Sequence, residues 1–568
     1  MKTTIKVHLK NQLKKILTKE IITSQEIEIA PTSSLSFGDY TTNIAFKIAK
    51  KLKKSPQSVA LNIATKLPLQ RYFKKIDNLN GFINFWLKDE IIIKKLNNLS
   101  NNRFHPEPFF FGLNKKILIE YAQPNTHKLF HIGHLRNISL GESLARIYEF
   151  LGNKVIRVNY QGDVGLHIAK ALYVILINKK KYHQIKKSKN LEKKINFIGQ
   201  MYTIGNQKYE KDESAKKEII KINQMIYEKD KQIYSLWKET RQWSLDYFSE
   251  IYKKVGTRFD KLYFESETAK EAKKYINKAL KKGVLEKSQG AIIFNGKRYN
   301  LDTRVFLNSL GYPTYEGKEI PLAYWEFSDF GKIDKCIHLT SPEQKSFFSA
   351  TFKVEELLFP EIKGKQYHLA YEWVNLKTGK MSSREGNVIE VNWLINQITN
   401  KLIKNYKINK ENALILSIAC IKYSFLKNSP LTKINFDIDE SINLHGNSAA
   451  YLLYTFVRCR SIIKKIKKIE KNISQIDFKK LSIEEKNLAR FLYFFEDFIY
   501  QSATAFSPHF IANYLYQLAQ QFNLFYEKYP VLKAKEELKN FRIIITIATA
   551  NILKKGLQIL GIKTIDKM

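Results

Sequence analysis

The sequence predicts a three-part α/β protein: a doubly wound parallel-sheet domain split by a helical insertion, preceded by a small α+β unit and followed by an all-helical bundle. Three observations carry this. Strand and helix patterns alternate from residue 116 to about 176, and aromatic and aliphatic residues recur at helical spacing beyond residue 405. The third is length, since 568 residues exceed the roughly 100–200 of a single core.

The first part spans residues 1–107. A helical start leads to a loop holding Ser36-Phe37-Gly38-Asp39-Tyr40. An amphipathic helix through Ile44, Ala45, Ile48 and Leu52 follows, then a strand over Gly81-Phe82-Ile83-Asn84-Phe85-Trp86. Polar residues 97–108 close the unit. The second part, 108–404, opens on the apolar strand Lys116-Ile117-Leu118-Ile119-Glu120-Tyr121 and continues through a polar loop into a helix over 133–151. After Gly152-Asn153 come the strand Val155–Tyr160, a Gly162-Asp163-Val164-Gly165 turn and another apolar helix. Residues 178–300 read as helical, lysine-rich and poor in strand signals, an insertion at about 175–300, before short strands resume near Tyr315. The third part, 405–568, is a bundle with Tyr451, Leu452, Tyr454, Val457 and Ile462 at helical spacing.

Charge and cysteine usage narrow the function classes. With 95 Lys+Arg against 54 Asp+Glu, the net charge of +41 favours a polyanionic partner such as nucleic acid or an acidic membrane surface. Heavy use of Lys, Ile, Asn, Tyr and Phe is also what an AT-rich genome imposes, so the charge has two readings. Cys336, Cys420 and Cys459 are few, odd in number and widely spaced, which suggests neither a disulfide framework nor a zinc site and fits a reducing compartment. The start, Met1 to Val7, lacks the apolar run of a signal peptide, and no stretch approaches the roughly 20 apolar residues of a membrane span. A cytoplasmic protein is expected.

Two segments carry chemistry. In the first, Glu120-Tyr121-Ala122-Gln123-Pro124-Asn125 runs on to Lys128 and His131-Ile132-Gly133-His134 at a helix start after a parallel strand. Free N–H groups and the positive helix end make such a position an anion site. Gly133 lets a nucleotide approach, and His131 and His134 share a face from which both can donate to phosphate. The second is the glycine-flanked loop Thr378-Gly379-Lys380-Met381-Ser382-Ser383-Arg384-Glu385-Gly386, whose Lys380 can close over a leaving pyrophosphate. Either segment alone could be an ordinary basic turn or a pair of structural histidines.

In this order, the two segments resemble the paired signatures of class I aminoacyl-tRNA synthetases, with their Rossmann-type catalytic domain. Glu120, Pro124, Asn125 and Lys128 ahead of the first make the arginyl family the specific likeness. Ser383 stands where most class I enzymes have a lysine, and the arginyl family compensates with the residue matched by Lys128. The resemblance covers nearly the whole chain. It implies ligation of L-arginine to tRNA(Arg) with ATP and Mg2+, by a monomer using neither zinc nor an organic cofactor.

Site residues follow from the same likeness. Lys128, His131, His134 and Lys380 would serve catalysis, with Gly133, Met381 and Ser382 also at ATP. Glu120, Asn125, Tyr315, Glu319 and Gln344 would form the arginine pocket, although Gly317-Lys318-Glu319 departs from the family's Thr-Arg-Asp. Carboxylates there suit a guanidinium, whose planar donors pair bidentately with acidic oxygens. Phe82 and Asn84 would meet a D-loop base of the tRNA, and Arg458 the anticodon stem-loop; core roles for Phe82, Tyr451 and Tyr454 remain the alternative.

Overall fold

The computed structural model describes residues 5–17, 27–32, 34–68, 72–104, 114–377, 389–466, 473 and 476–567. Residues 378–388, which hold Lys380, Met381, Ser382 and Ser383, lie outside the described residues.

The amino-terminal part is an antiparallel sheet with strands β1 (Ala30–Pro31), β2 (Tyr40–Thr42), β3 (Phe73–Leu79) and β4 (Phe82–Leu87), in the order β1-β2-β4-β3. The helix Ile44–Leu52 buries Ile44, Ala45, Ile48 and Ala49, while Leu52 faces solvent. Ser55 caps the next helix, Pro56–Lys66, by accepting from the Ser58 N–H at 3.2 Å. This part leans on the carboxy-terminal bundle. Asp39 meets Arg490 at 2.8 Å, Tyr40 donates to Asp497 at 2.9 Å, and Lys95 meets Glu496 at 2.7 Å.

The central part holds a five-stranded parallel sheet made of β5 (Lys116–Glu120), β6 (Lys154–Gln161), β7 (Lys261–Phe264), β11 (Lys335–Thr340) and β12 (Gln366–Ala370). Ile117, Leu118 and Ile119 are fully buried, as expected of a strand covered on both faces. The order is β12-β11-β5-β6-β7. The chain therefore winds outward from β5 through β6 to β7, then returns to lay β11 on the other side of β5. Its reversal lies between β5 and β11, and the carboxyl ends of strands at such a reversal form a ligand crevice. The crossover helix Ile132–Phe150 is locked to β6 by Arg157, fully buried, which takes Glu149 bidentately at 2.5 and 2.9 Å and Glu142 at 3.0 Å.

Residues 178–300 depart from the helical, strand-poor expectation. Helices do fill 179–255, but β7 follows them and joins the central sheet. A small antiparallel sheet of β8 (Glu286–Ser288), β9 (Ala291–Phe294) and β10 (Arg304–Leu307) comes next. The reason is size and position: β7 is a four-residue edge strand in which only Tyr263 is fully covered, so its sequence carries no run or alternation to read. The bundle includes the helices Ala449–Lys464, Ile483–Tyr493, Phe495–Thr504, His509–Lys528 and Glu536–Ile559. Ser448 and Ser482 cap two of these by accepting from N–H groups three residues on.

Candidate active site

Glu120 ends β5, and His338, two residues before the end of β11, is its register partner across the reversal. His338 Nδ1 lies 2.7 Å from Glu120 Oε2, and the Gln123 amide donates to Oε1. Both side chains are buried. From the first turn of the helix Tyr315–Ser328, the half-buried Glu319 faces the same crevice. Burial, then Glu120 and Glu355, push its carboxyl well above the usual range.

Tyr160, near the end of β6, sees three carboxylates at once. Burial and then Glu265, Glu319 and Glu120 raise its phenol, which bonds Thr268 at 2.8 Å. Glu265, directly after β7, forms a buried ion pair with Lys318. Carboxylates from three elements thus converge on one crevice, where burial raises the carboxyls of Glu319 and Glu265. A cationic ligand relieves that.

Other residues expected at the arginine pocket are placed unevenly. Asn125 is pinned against Gly162, where a Cβ would come within 2.1 Å of its Oδ1. Tyr315 is exposed with the Lys318 ammonium 4.4 Å from its ring centre, and Gln344 is exposed in the turn Pro342–Gln344.

The loop after β5 is strained and held. Ala122, Gln123 and His127 have φ of 82°, 47° and 64°, a region costly for side chains with a Cβ. Asn137 Oδ1 accepts from the Ala122 N–H at 2.7 Å, Asn159 Oδ1 from Gln123 at 2.9 Å, and Ser244 Oγ from His127 at 3.1 Å. Neither asparagine was singled out by the sequence.

Beyond this loop the helix Ile132–Phe150 starts at His131, whose ring stacks on His134 at 3.7 Å between centres. A Cβ on Gly133 would lie 3.0 Å from the His131 imidazole, so glycine makes room for that ring. The His131 N–H donates to His134 Nδ1 at 3.2 Å, which leaves the His134 ring proton on Nε2 as an available donor. Burial, then Lys128, lower His131 to about 4. Burial, His131 and Lys128 put His134 well below its ordinary value. Both are neutral donors near pH 7. Lys128, half-buried, sits 5.4 Å from the Tyr202 ring centre and is itself lowered by burial and Lys170.

The flank of the second segment reaches the first. The Ile132 N–H donates to Ile389 O at 2.9 Å, and the Val391 N–H to Phe130 O at 3.0 Å. Residues immediately after 378–388 are therefore stitched to the helix start. Arg136, also unforeseen, donates to the carbonyls of Trp373, Pro430 and Thr432 at 2.9–3.2 Å and fixes the preceding flank.

The residues expected to meet tRNA divide. Phe82 is exposed, with its ring 5.0 Å from that of Phe46, whereas Asn84 is buried. In this conformation the Asn84 amide does not face solvent. Arg458 lies on the bundle surface between the rings of Tyr454 and Tyr526 and donates to Asn523 at 2.7 Å. Tyr454 is exposed; Tyr451 is half-buried and accepts from the Asn523 amide at 2.9 Å.

Sequence models of known families match this arrangement along the chain. Residues 102–438, more than half of it, match "tRNA synthetases class I (R), catalytic domain". The chain belongs to the arginyl-tRNA synthetase family. The family's amino-terminal domain matches residues 3–87, and a DALR anticodon-binding domain matches 452–568. Among curated arginyl synthetases, the arginine–tRNA ligase of Treponema denticola is 30% identical over 575 residues, covering 97% of this chain and 96% of its own. That of Bdellovibrio bacteriovorus is 31% identical over 471 residues, with 80% of each covered. In fold, the chain superposes on the solved Thermus thermophilus arginyl-tRNA synthetase with a TM-score of 0.83 over the full length of both, at 23% identity. The arginyl synthetase family uses ATP as a substrate, and no described helix is long and apolar enough to cross a membrane.

Proposed function

We propose that this arginyl synthetase condenses L-arginine with ATP to arginyl-adenylate and pyrophosphate, then esterifies the 3′ ribose of tRNA(Arg). The observation that carries the arginine assignment is the crowding of Glu120, Glu265 and Glu319 about the Tyr160 hydroxyl at the carboxyl edge of the sheet. A guanidinium placed among them gains charge-assisted bonds and restores the charge balance of the crevice. An uncharged side chain would offer these carboxylates no charge-assisted bond, a discrimination of roughly 10⁴ or more.

On the phosphate side, His131 and His134 supply neutral N–H donors, and Lys128 and Lys380 supply positive charge to the departing pyrophosphate. Gly133, Met381 and Ser382 line the nucleotide. Asn125, Tyr315 and Gln344 complete the amino-acid pocket. The arginine carboxylate attacks the α-phosphate in line, so positioning and electrostatics do the chemistry without a covalent enzyme intermediate. Mg2+ accompanies ATP. Phe82, Asn84 and Arg458 contact tRNA, with Asn84 exposed by a local shift of β4. We assign domain limits of 1–107, 108–404 and 405–568, and a cytoplasmic monomer that activates arginine once tRNA is bound. The test is ATP–pyrophosphate exchange over all twenty amino acids with and without tRNA. Exchange with arginine alone supports the reading; exchange driven by another amino acid overturns it.

A further inference from the structure

A second group of functional side chains lies behind Glu120, among residues that the synthetase reaction does not use. Glu326 on the helix Tyr315–Ser328 and Cys336 and His338 on β11 bring one carboxylate oxygen, one thiol and one imidazole nitrogen together. All three are buried, Glu326 and Cys336 completely. His338 Nε2 lies 3.2 Å from Cys336 Sγ and 3.8 Å from Glu326 Oε2, and Sγ lies 3.7 Å from Oε2.

These separations match a metal's first shell. Ligands held tetrahedrally at roughly 2.0–2.3 Å from zinc stand about 3.3–3.8 Å from one another. A second observation points the same way. Glu326 Oε1 is buried with no hydrogen-bond partner among the described residues, a costly state for a carboxylate oxygen unless something electropositive meets it.

We propose that Glu326, Cys336 and His338 bind one divalent transition-metal ion of the zinc class. His338 Nδ1–H donates to Glu120 Oε2 at 2.7 Å, so Nε2 offers its lone pair to the ion once the proton it carries passes to solvent. That carboxylate–histidine–metal relay is the usual outer support of such sites. Charge balances: the ion's two positive charges meet the Glu326 carboxylate and the Cys336 thiolate, whose proton passes to solvent on binding. Glu326 Oε1 can fill a fourth position. The ion ties the helix that carries Glu319 to the strand whose His338 orients Glu120, and so acts as a rigid floor beneath the crevice. The site departs from the zinc-free expectation drawn from the cysteine spacing, because it uses one thiolate together with a carboxylate and an imidazole from a helix and a strand.

The test is Co2+ titration of the full-length protein, with Zn2+ in competition. Cobalt should bind at one equivalent per chain with a near-ultraviolet thiolate-to-cobalt charge-transfer band, and zinc should displace it. Cys336→Ser should abolish that band while Cys459→Ser, a buried cysteine far from the cluster, keeps it. Glu326→Gln should weaken binding at least about tenfold in competition with a chelating dye. No charge-transfer band on the folded wild-type protein, or one that persists in Cys336→Ser, overturns the proposal. No arm of the test uses arginine, ATP or tRNA, so its failure leaves the synthetase reading intact.

Discussion

Glu120 Oε2 and His338 Nδ1 meet at 2.7 Å across the paired strands β5 and β11, and this contact fixes the direction of the carboxylate at the sheet reversal. His338 and Gln123 hold one oxygen each, so the carboxylate cannot rotate away from the crevice. Rigid placement of an acidic group is what bidentate guanidinium recognition requires.

Glu120→Gln keeps the shape and removes the charge. Loss of a charge-assisted hydrogen bond of roughly 1.5–3 kcal/mol should raise the KM for arginine about 10–100-fold. The KM for ATP should stay within about twofold. Steady-state exchange kinetics read both values, and an unchanged arginine KM removes Glu120 from the pocket.

Lys128→Ala separates activation from tRNA binding. Removing a charge that is proposed to act on the departing pyrophosphate should lower kcat for exchange about 10²–10³-fold. Affinity for tRNA, measured by filter binding at fixed salt, should change less than about threefold. Normal activation in this variant contradicts the role assigned to Lys128.

Asn137 binds the Ala122 N–H, the Leu339 carbonyl at 2.8 Å and the Tyr371 hydroxyl at 3.0 Å, all at the base of the strained loop. Asn137→Ala should destabilise the protein by about 2–3 kcal/mol because it leaves buried polar groups unpaired. A lowered urea midpoint with an unchanged slope is the expected signature. An unaltered midpoint means the loop is held by other contacts.

Acid stability should turn on histidines that the fold keeps neutral. Burial, then Arg241, lowers His127 from 6.5 to about 3, while burial and Lys128 lower His131 to about 4. Their folded values lie below the unfolded one, so between them the unfolded chain binds more protons. The stability they contribute is present above about pH 6.5 and is lost as pH falls toward 3–4. Urea midpoints measured across that window should fall with pH, and His127→Gln should flatten the slope.

Local patterns made much of the scaffold legible. The buried run Ile117-Leu118-Ile119, the glycine turns and the spacing of the bundle residues encode covered strands and helices directly. The paired signatures could be read because each is continuous in sequence. What stayed hidden depends on contacts between distant residues. Glu265, Lys318 and Tyr160 come together only when three elements assemble, and no one segment shows it. Asn84 looked like a neighbour of Phe82 on one strand face. It is covered because β4 pairs there on both sides, with Thr41 and Asp77, while Phe82 lies beyond the end of β2. Glu326 meets Cys336 and His338 in the same way, across a helix and a strand.

What the enzyme attaches to tRNA decides the arginine assignment. The protein would be incubated with ATP, Mg2+, total tRNA and all twenty amino acids, and the aminoacylated 3′ ends then analysed by mass spectrometry. The account predicts arginine as the sole ester. Any other amino acid at the 3′ end, or no ester from protein that exchanges pyrophosphate, would contradict it.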